Sequence, residues 1–173
     1  MKNLANKITI ARIVLIPLFL YFAYSGHNYI ALAVFIIACI SDFADGYIAR
    51  HYHQISDFGK FLDPLADKIL VISAMCFFVE KGIMPGWALA IIIFREFAVS
   101  GLRLIASLKK RILAAVMSGK IKTTCTMVGI CILLVFHNIP WIRFSVLFII
   151  ILTTLFSGTE YFVNNYDILA DTE

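Results

Sequence analysis

A chain of 173 residues that is 61% hydrophobic, with a mean hydropathy of +0.90, stands well above the roughly 45–50% apolar content of soluble domains. At roughly 20 apolar residues per span, the length allows about six membrane crossings with short connections and no separate soluble domain. Residues 1–173 therefore read as one all-α integral-membrane domain, and the net charge of +4 is informative only through its placement.

Six apolar segments follow one another. The first, Thr9–Tyr24, comes after Lys2 and Lys7 and carries Arg12 early. No small-residue cleavage site follows it, so it reads as a retained helix rather than a signal. The second and third, Tyr29–Arg50 and Lys60–Phe78, flank a polar connection containing His51 and His53, both expected to face the cytoplasm. The fourth, Ile83–Leu108, precedes a basic connection with Lys109, Lys110 and Arg111; the fifth is Gly119–Phe136 and the sixth Ile142–Phe162. Glu160, near the end of the sixth, takes no assigned role. Cys39, Cys76, Cys125 and Cys131 lie inside apolar stretches without CxxC spacing and read as small packing residues.

Basic residues alternate between connections. Lys2, Lys7 and Arg12 precede the first segment, Arg50 and Lys60 bracket the second connection, and Lys109, Lys110, Arg111, Lys120 and Lys122 surround the fourth. Lys81 and Arg143 are the Lys and Arg of the other side. Positive charge stays inside, so both termini are expected to be cytoplasmic. Charges within spans are costly, about 2.5–3.5 kcal/mol each at mid-bilayer, and normally face a cavity or a partner. Asp42, Asp45, Asp63, Asp67, Arg95, Glu96 and Arg103 all fall in segments two to four.

The aspartates form a pattern. Asp42 and Asp45 are three apart, Asp63 and Asp67 four apart, spacings that put each pair on one helix face. With Arg50 and Gly59 at the cytoplasmic boundary, a rise of about 1.5 Å per residue puts Asp42 and Asp67 about 12 Å deep. Asp45 and Asp63 come about 6–8 Å deep by the same rise. The two segments thus present four carboxylates at matched levels below the inner surface. A set of hard oxygen donors suits Mg²⁺, Mn²⁺ or Ca²⁺ rather than zinc, and four of them suffice for two ions of the kind used in phosphoryl chemistry. Gly46, Ala49 and Gly59 leave room for a ligand, or for close helix packing, and Arg50 suits a phosphate or pyrophosphate.

Taken together, Asp42-x2-Asp45-Gly46-x2-Ala49-Arg50-x8-Gly59-x3-Asp63-x3-Asp67 resembles the signature of the CDP-alcohol phosphotransferases at every defined position. The resemblance implies that Asp42, Asp45 and Asp63 are metal ligands, and that Asp67 helps hold the second of two Mg²⁺ or Mn²⁺ ions and serves as general base. It implies a CDP site formed by Asp45, Gly46, Ala49, Arg50 and Gly59. Asn6-x2-Thr9-x2-Arg12 resembles a further family feature near the nucleotide; Asn6 and Thr9 belong either to that site or to the cap of the first helix.

The acceptor is addressed by cations of the fourth and fifth segments. Arg95 and Arg103 with Lys120 and Lys122 would suit a phosphate on a small polar alcohol; positive-inside anchoring explains Lys109, Lys110 and Arg111 and is the alternative role for Lys120 and Lys122. Arg-Glu-Phe-Ala-Val-x-Gly-Leu-Arg and Gly-Lys-Ile-Lys-Thr resemble the bacterial branch of the family that joins CDP-diacylglycerol to sn-glycerol 3-phosphate. That branch implies a homodimer in the cytoplasmic membrane, an active site facing the cytoplasm, and no nucleic-acid partner. Alternatives are a related enzyme with phosphatidylglycerol, inositol phosphate or serine as acceptor and, from another class, a divalent-cation transporter.

Overall fold

The computed structural model describes residues 4–51, 57–109 and 116–166; the side chains of residues 4–10, 42–51, 57–64 and 67 lie outside the described set. Among the described residues the chain is entirely helical: α1 (Leu4–Tyr24), α2 (Asn28–His51), α3 (Asp57–Glu80), α4 (Gly86–Leu108), α5 (Met117–Phe136) and α6 (Pro140–Val163).

Each expected segment is thus a helix, but the helices extend beyond some apolar runs. Leu4 begins α1 and Asp57 begins α3, because a polar turn joined to an apolar helix continues its hydrogen bonding. One boundary moves inward. The fourth segment was expected from Ile83, yet α4 begins at Gly86, after Pro85 at the cap position. Ile83 and Met84 are 7% and 3% exposed, and both their amides donate to the Phe78 carbonyl, at 2.8 and 3.1 Å. Their apolar side chains serve the α3–α4 turn rather than a helix.

Two turns use glycine for a definite reason. Gly26 and Gly82 have φ of +78° and +67°. After α1, His27 N–H donates to Phe22 O and Gly26 N–H to Ala23 O; after α3, Ile83 N–H donates to Phe78 O and Gly82 N–H to Val79 O. This double closure is the Schellman motif, whose left-handed residue favours glycine. Pro140 opens α6 in its first turn, where its missing N–H costs nothing.

The turns reverse the chain, so the starts of α1, α3 and α5 share one end of the bundle with the ends of α2, α4 and α6. Helix α1 packs along both α2 and α3, α5 along α6 and α2, and α4 along α6. The core runs through Phe19, Phe35, Phe78, Ile92, Leu133 and Ile150, each at most 1% exposed, with the Phe19 and Phe35 rings 5.6 Å apart. Outside it, Val14, Ile37, Phe94, Phe97, Phe148 and Phe156 remain largely exposed. Apolar exposure spread over several helices suits contact with lipid. Helices α5 and α6 are long and apolar enough to cross a membrane, and Ala11–Tyr24 and Asn28–Ser41 are shorter apolar stretches.

Close approach of α5 and α6 depends on Gly129. A Cβ there would fall 2.7 Å from Ile150 Cδ1 and 3.0 Å from Val146 Cγ1, the role small residues play between helices in lipid. Gly129→Val is expected to cost about 1–3 kcal/mol through overpacking, read as a lowered thermal midpoint in detergent. Gly101→Ala, with nothing within 4 Å of the new Cβ, is expected to leave the midpoint unchanged or raise it.

Candidate active site

Backbone geometry brings the carboxylate motif to the shared end. Asp42, Asp45, Gly46, Ala49 and Arg50 fall in the last turns of α2, and Gly59, Asp63 and Asp67 in the first turns of α3. Helical backbone at both runs keeps the three- and four-residue spacings on one face each. The side chains of these residues, like those of Asn6 and Thr9 in α1, lie outside the described residues, as does the matched level of the four carboxylates. Arg12, on the helix that packs against both α2 and α3, is 1% exposed.

The described part of this end is a polar layer centred on Glu96 of α4. Its carboxylate forms an ion pair with Lys122 of α5, accepts from Arg95 Nη1 at 3.1 Å, and lies 3.9 Å from Lys68 Nζ of α3. Lys68 also donates to Ser100 Oγ, and Ser100 in turn donates to the Glu96 carbonyl at 2.7 Å. Arg95 reaches the other way, its Nη2 donating to Ser157 Oγ of α6 at 2.6 Å. The Lys122 and Arg95 side chains are 4% and 12% exposed and Glu96 18%, while Lys68 is the accessible member at 29%. Charges removed from water to this degree persist only when paired, and one carboxylate here engages cations from three helices.

The four cations expected at the acceptor site divide. Arg95 and Lys122 share Glu96. Arg103 donates from Nε to the Tyr161 hydroxyl at 3.1 Å, with its guanidinium carbon 5.5 Å from that ring's centre, a cation–π contact. Lys120 is exposed. Two residues apart on α5, Lys120 and Lys122 point to different sides, as i,i+2 neighbours must.

A cavity of about 40 Å³ lies beside the layer, lined by Lys68, Ile92, Glu96, Lys122, Thr123 and Thr126. Thr126 is 1% exposed, and its hydroxyl is buried without a hydrogen-bond partner among the described residues. Water fits such a space, and of the charged members of the layer Lys68 is the most open to solvent.

Sequence reasoning gave Lys68, Ser100, Ser157 and Tyr161 no role. Lys68 was legible as the residue directly after Asp67. Ser157 stands in a small polar break, Ser157-Gly158-Thr159-Glu160, in the otherwise apolar α6. Glu160, also unassigned, has one buried carboxylate oxygen without a partner among the described residues.

Residues 2–157 match the family profile described as CDP-alcohol phosphatidyltransferase. The chain is similar to the CDP-diacylglycerol--glycerol-3-phosphate 3-phosphatidyltransferase of Bacillus subtilis, 40% identical over 190 residues covering 98% of each chain. It is also similar to the enzyme of the same description from Rickettsia typhi, 35% identical over 94% of this chain and 96% of that one. A probable phosphatidylglycerophosphate synthase of Mycobacterium tuberculosis is 35% identical over 92% of this chain and 79% of its own.

The Glu96 layer generates a stability prediction. Removing one partner from a buried ion pair leaves the other charge uncompensated, at a cost of about 3–5 kcal/mol. Glu96→Ala is expected to lower the thermal midpoint in detergent sharply, whereas Lys120→Ala, at an exposed position, should change stability by less than about 0.5 kcal/mol.

Proposed function

This chain belongs to the CDP-alcohol phosphatidyltransferase family, and we propose that it transfers the phosphatidyl group of CDP-diacylglycerol to sn-glycerol 3-phosphate, giving phosphatidylglycerophosphate and CMP in phospholipid synthesis. The observation that carries this reading is the similarity to the Bacillus subtilis enzyme, which spans 98% of both chains and so includes the acceptor-side helices as well as the aspartate motif. The protein crosses the membrane six times, with both termini and the active site on the cytoplasmic side; the alternation of basic connections supports that orientation. A homodimer is the proposed assembly.

Asp42, Asp45, Asp63 and Asp67 would hold two Mg²⁺ or Mn²⁺ ions. Their fit rests on the donor chemistry, carboxylates alone, and on the helical backbone of α2 and α3 that preserves their spacing. Such ions, when bound, offset phosphate charge and favour CMP as leaving group. The chain's own residues do the rest. Gly46, Ala49 and Gly59 let the cytidine diphosphate approach the backbone, Arg50 pairs with its phosphates, and Asn6 and Thr9 border the nucleotide. Arg95 and Lys122 bind the acceptor's phosphate; Arg103 and Lys120, turned to Tyr161 and to the surface, assist by drawing an anion toward that end.

Asp67 takes the proton of the attacking hydroxyl. The acceptor oxygen bonds to the lipid-linked phosphorus as the pyrophosphate P–O bond breaks and CMP departs. A phosphate-bearing acceptor accounts for cations on α4 and α5 that serine would not require.

The test is CMP release by purified protein in detergent with CDP-diacylglycerol, Mg²⁺ or Mn²⁺, and glycerol 3-phosphate, inositol 1-phosphate, serine or phosphatidylglycerol. Turnover is expected with glycerol 3-phosphate alone and should vanish with EDTA. Asp67→Asn should lose about 10²-fold or more in kcat, the typical contribution of a general base. Turnover with a different acceptor would refute the acceptor assignment, and full activity of Asp67→Asn would remove that residue from the base role. Metal flux into proteoliposomes, with no turnover of any acceptor, would point back to a cation transporter.

A further inference from the structure

Arg95 is held by a helix that carries none of the expected site residues. Its Nη1 donates to Glu96 at 3.1 Å and its Nη2 to Ser157 of α6 at 2.6 Å. Ser157 is 1% exposed, so this bond is shielded from water. The neighbouring Gly158 shapes the same contact, since a Cβ there would sit 3.2 Å from Arg95 Cγ. Cγ lies mid-chain, between an anchored backbone and an anchored guanidinium, so it cannot yield without moving the charged end. On α5, a Cβ at Gly119 would stand 3.7 Å from Arg95 Nη2 and 3.9 Å from Ser157 Oγ, so the start of that helix lies beside the guanidinium. The aliphatic stem of Arg95 thus passes against Gly158 of α6, and its head, tied to α4 and α6, lies beside Gly119 of α5.

A guanidinium has five N–H donors. Two are engaged by these bonds, and Nε–H, buried, has no partner among the described residues. Fork-like use of Nε with an Nη hydrogen is how arginine binds a phosphate bidentately.

We propose that Ser157 and Gly158 of α6 are positioning residues for the acceptor: they fix Arg95 so that its remaining donors grip the acceptor's phosphate group. This rests on the acceptor reading above. Ser157 acts only through Arg95 and touches neither substrate. Ser157→Ala frees Nη2, so the guanidinium samples orientations that waste the fork; Gly158→Ala displaces the stem directly.

The experiment measures CMP release by wild type, Ser157→Ala, Gly158→Ala, Arg95→Lys and the Ser157→Ala/Arg95→Lys double variant, varying acceptor and CDP-diacylglycerol separately. Ser157→Ala is expected to raise KM for the phosphorylated acceptor about tenfold, the scale of one hydrogen bond to a charged group, with KM for CDP-diacylglycerol within about twofold, inside experimental scatter. In the Arg95→Lys background it should add almost nothing, because residues acting through one partner are not additive. Gly158→Ala should repeat the acceptor-KM signature; if it does not fold, as read by its thermal midpoint, Ser157→Ala and the cycle decide alone. Equal loss for both substrates, or an additive double variant, would overturn the proposal by showing a structural role. The wild-type acceptor profile is read separately. Should wild type prefer another phosphorylated acceptor, the glycerol 3-phosphate reading falls, and the positioning role is judged on KM for that acceptor. A preference for an acceptor without a phosphate monoester overturns both.

Discussion

Charge buried among apolar helices has to be matched by charge from another helix, and that requirement organises this end of the bundle. Glu96 meets it by engaging Lys68, Arg95 and Lys122. No hydrophobic gain between helices is available in lipid, whose tails are as apolar as leucine, so polar contacts and close packing must supply the specificity of association. The Glu96 layer fixes the mutual register of α3, α4 and α5. Through Arg95 and Ser157 it extends to α6. A one-turn slip of any of these helices would leave an ion without its partner, at a cost several times the thermal energy.

The opposite half of the bundle is built on a different constraint, tight contact of uncharged surfaces. Phe19 against Phe35, and Gly129 beneath Ile150 and Val146, set the separations of α1 from α2 and of α5 from α6. The two regimes divide the labour. Packing makes the helices a rigid frame, and the frame holds long, flexible charged side chains at the other end in one arrangement. Arginine and lysine lose much rotamer entropy when fixed, and a rigid frame lets that loss be met at folding rather than at substrate binding. Arg95, threaded past Gly158 with both ends tied, is the clearest case.

Much of this was legible in the sequence, for local reasons. Hydropathy located six helices because each is long enough to register, whereas the left-handed turns at Gly26 and Gly82 are findings of the structure. The start of α4 was misplaced because apolar Ile83 and Met84 look helical by hydropathy, whereas their amides close the preceding turn on Phe78. The separate fates of Lys120 and Lys122 follow from their two-residue spacing, a reading that counting cations obscured. The partners Ser157 and Tyr161 lie 62 and 58 residues from Arg95 and Arg103, and no periodicity connects residues that far apart. Of the aspartate motif, the structure speaks to the helical backbone that carries it.

Helix α3 joins the two halves of the proposed chemistry. Asp67, assigned to the proton, and Lys68, tied to Ser100 and near Glu96, are consecutive on one rigid element. Successive helical positions diverge by about 100°, so one helix can serve the metal-and-nucleotide side with Asp67 and the acceptor side with its neighbour. Rotation or sliding of α3 would therefore disturb both together. An enzyme that joins a membrane lipid to a water-soluble acceptor needs its two substrates aligned to within a fraction of an ångström before the bond can form. Placing the proposed base and a tether to the acceptor-side layer at adjacent positions of one helix gives that alignment a short, stiff mechanical path, which residues on separate loops would not provide.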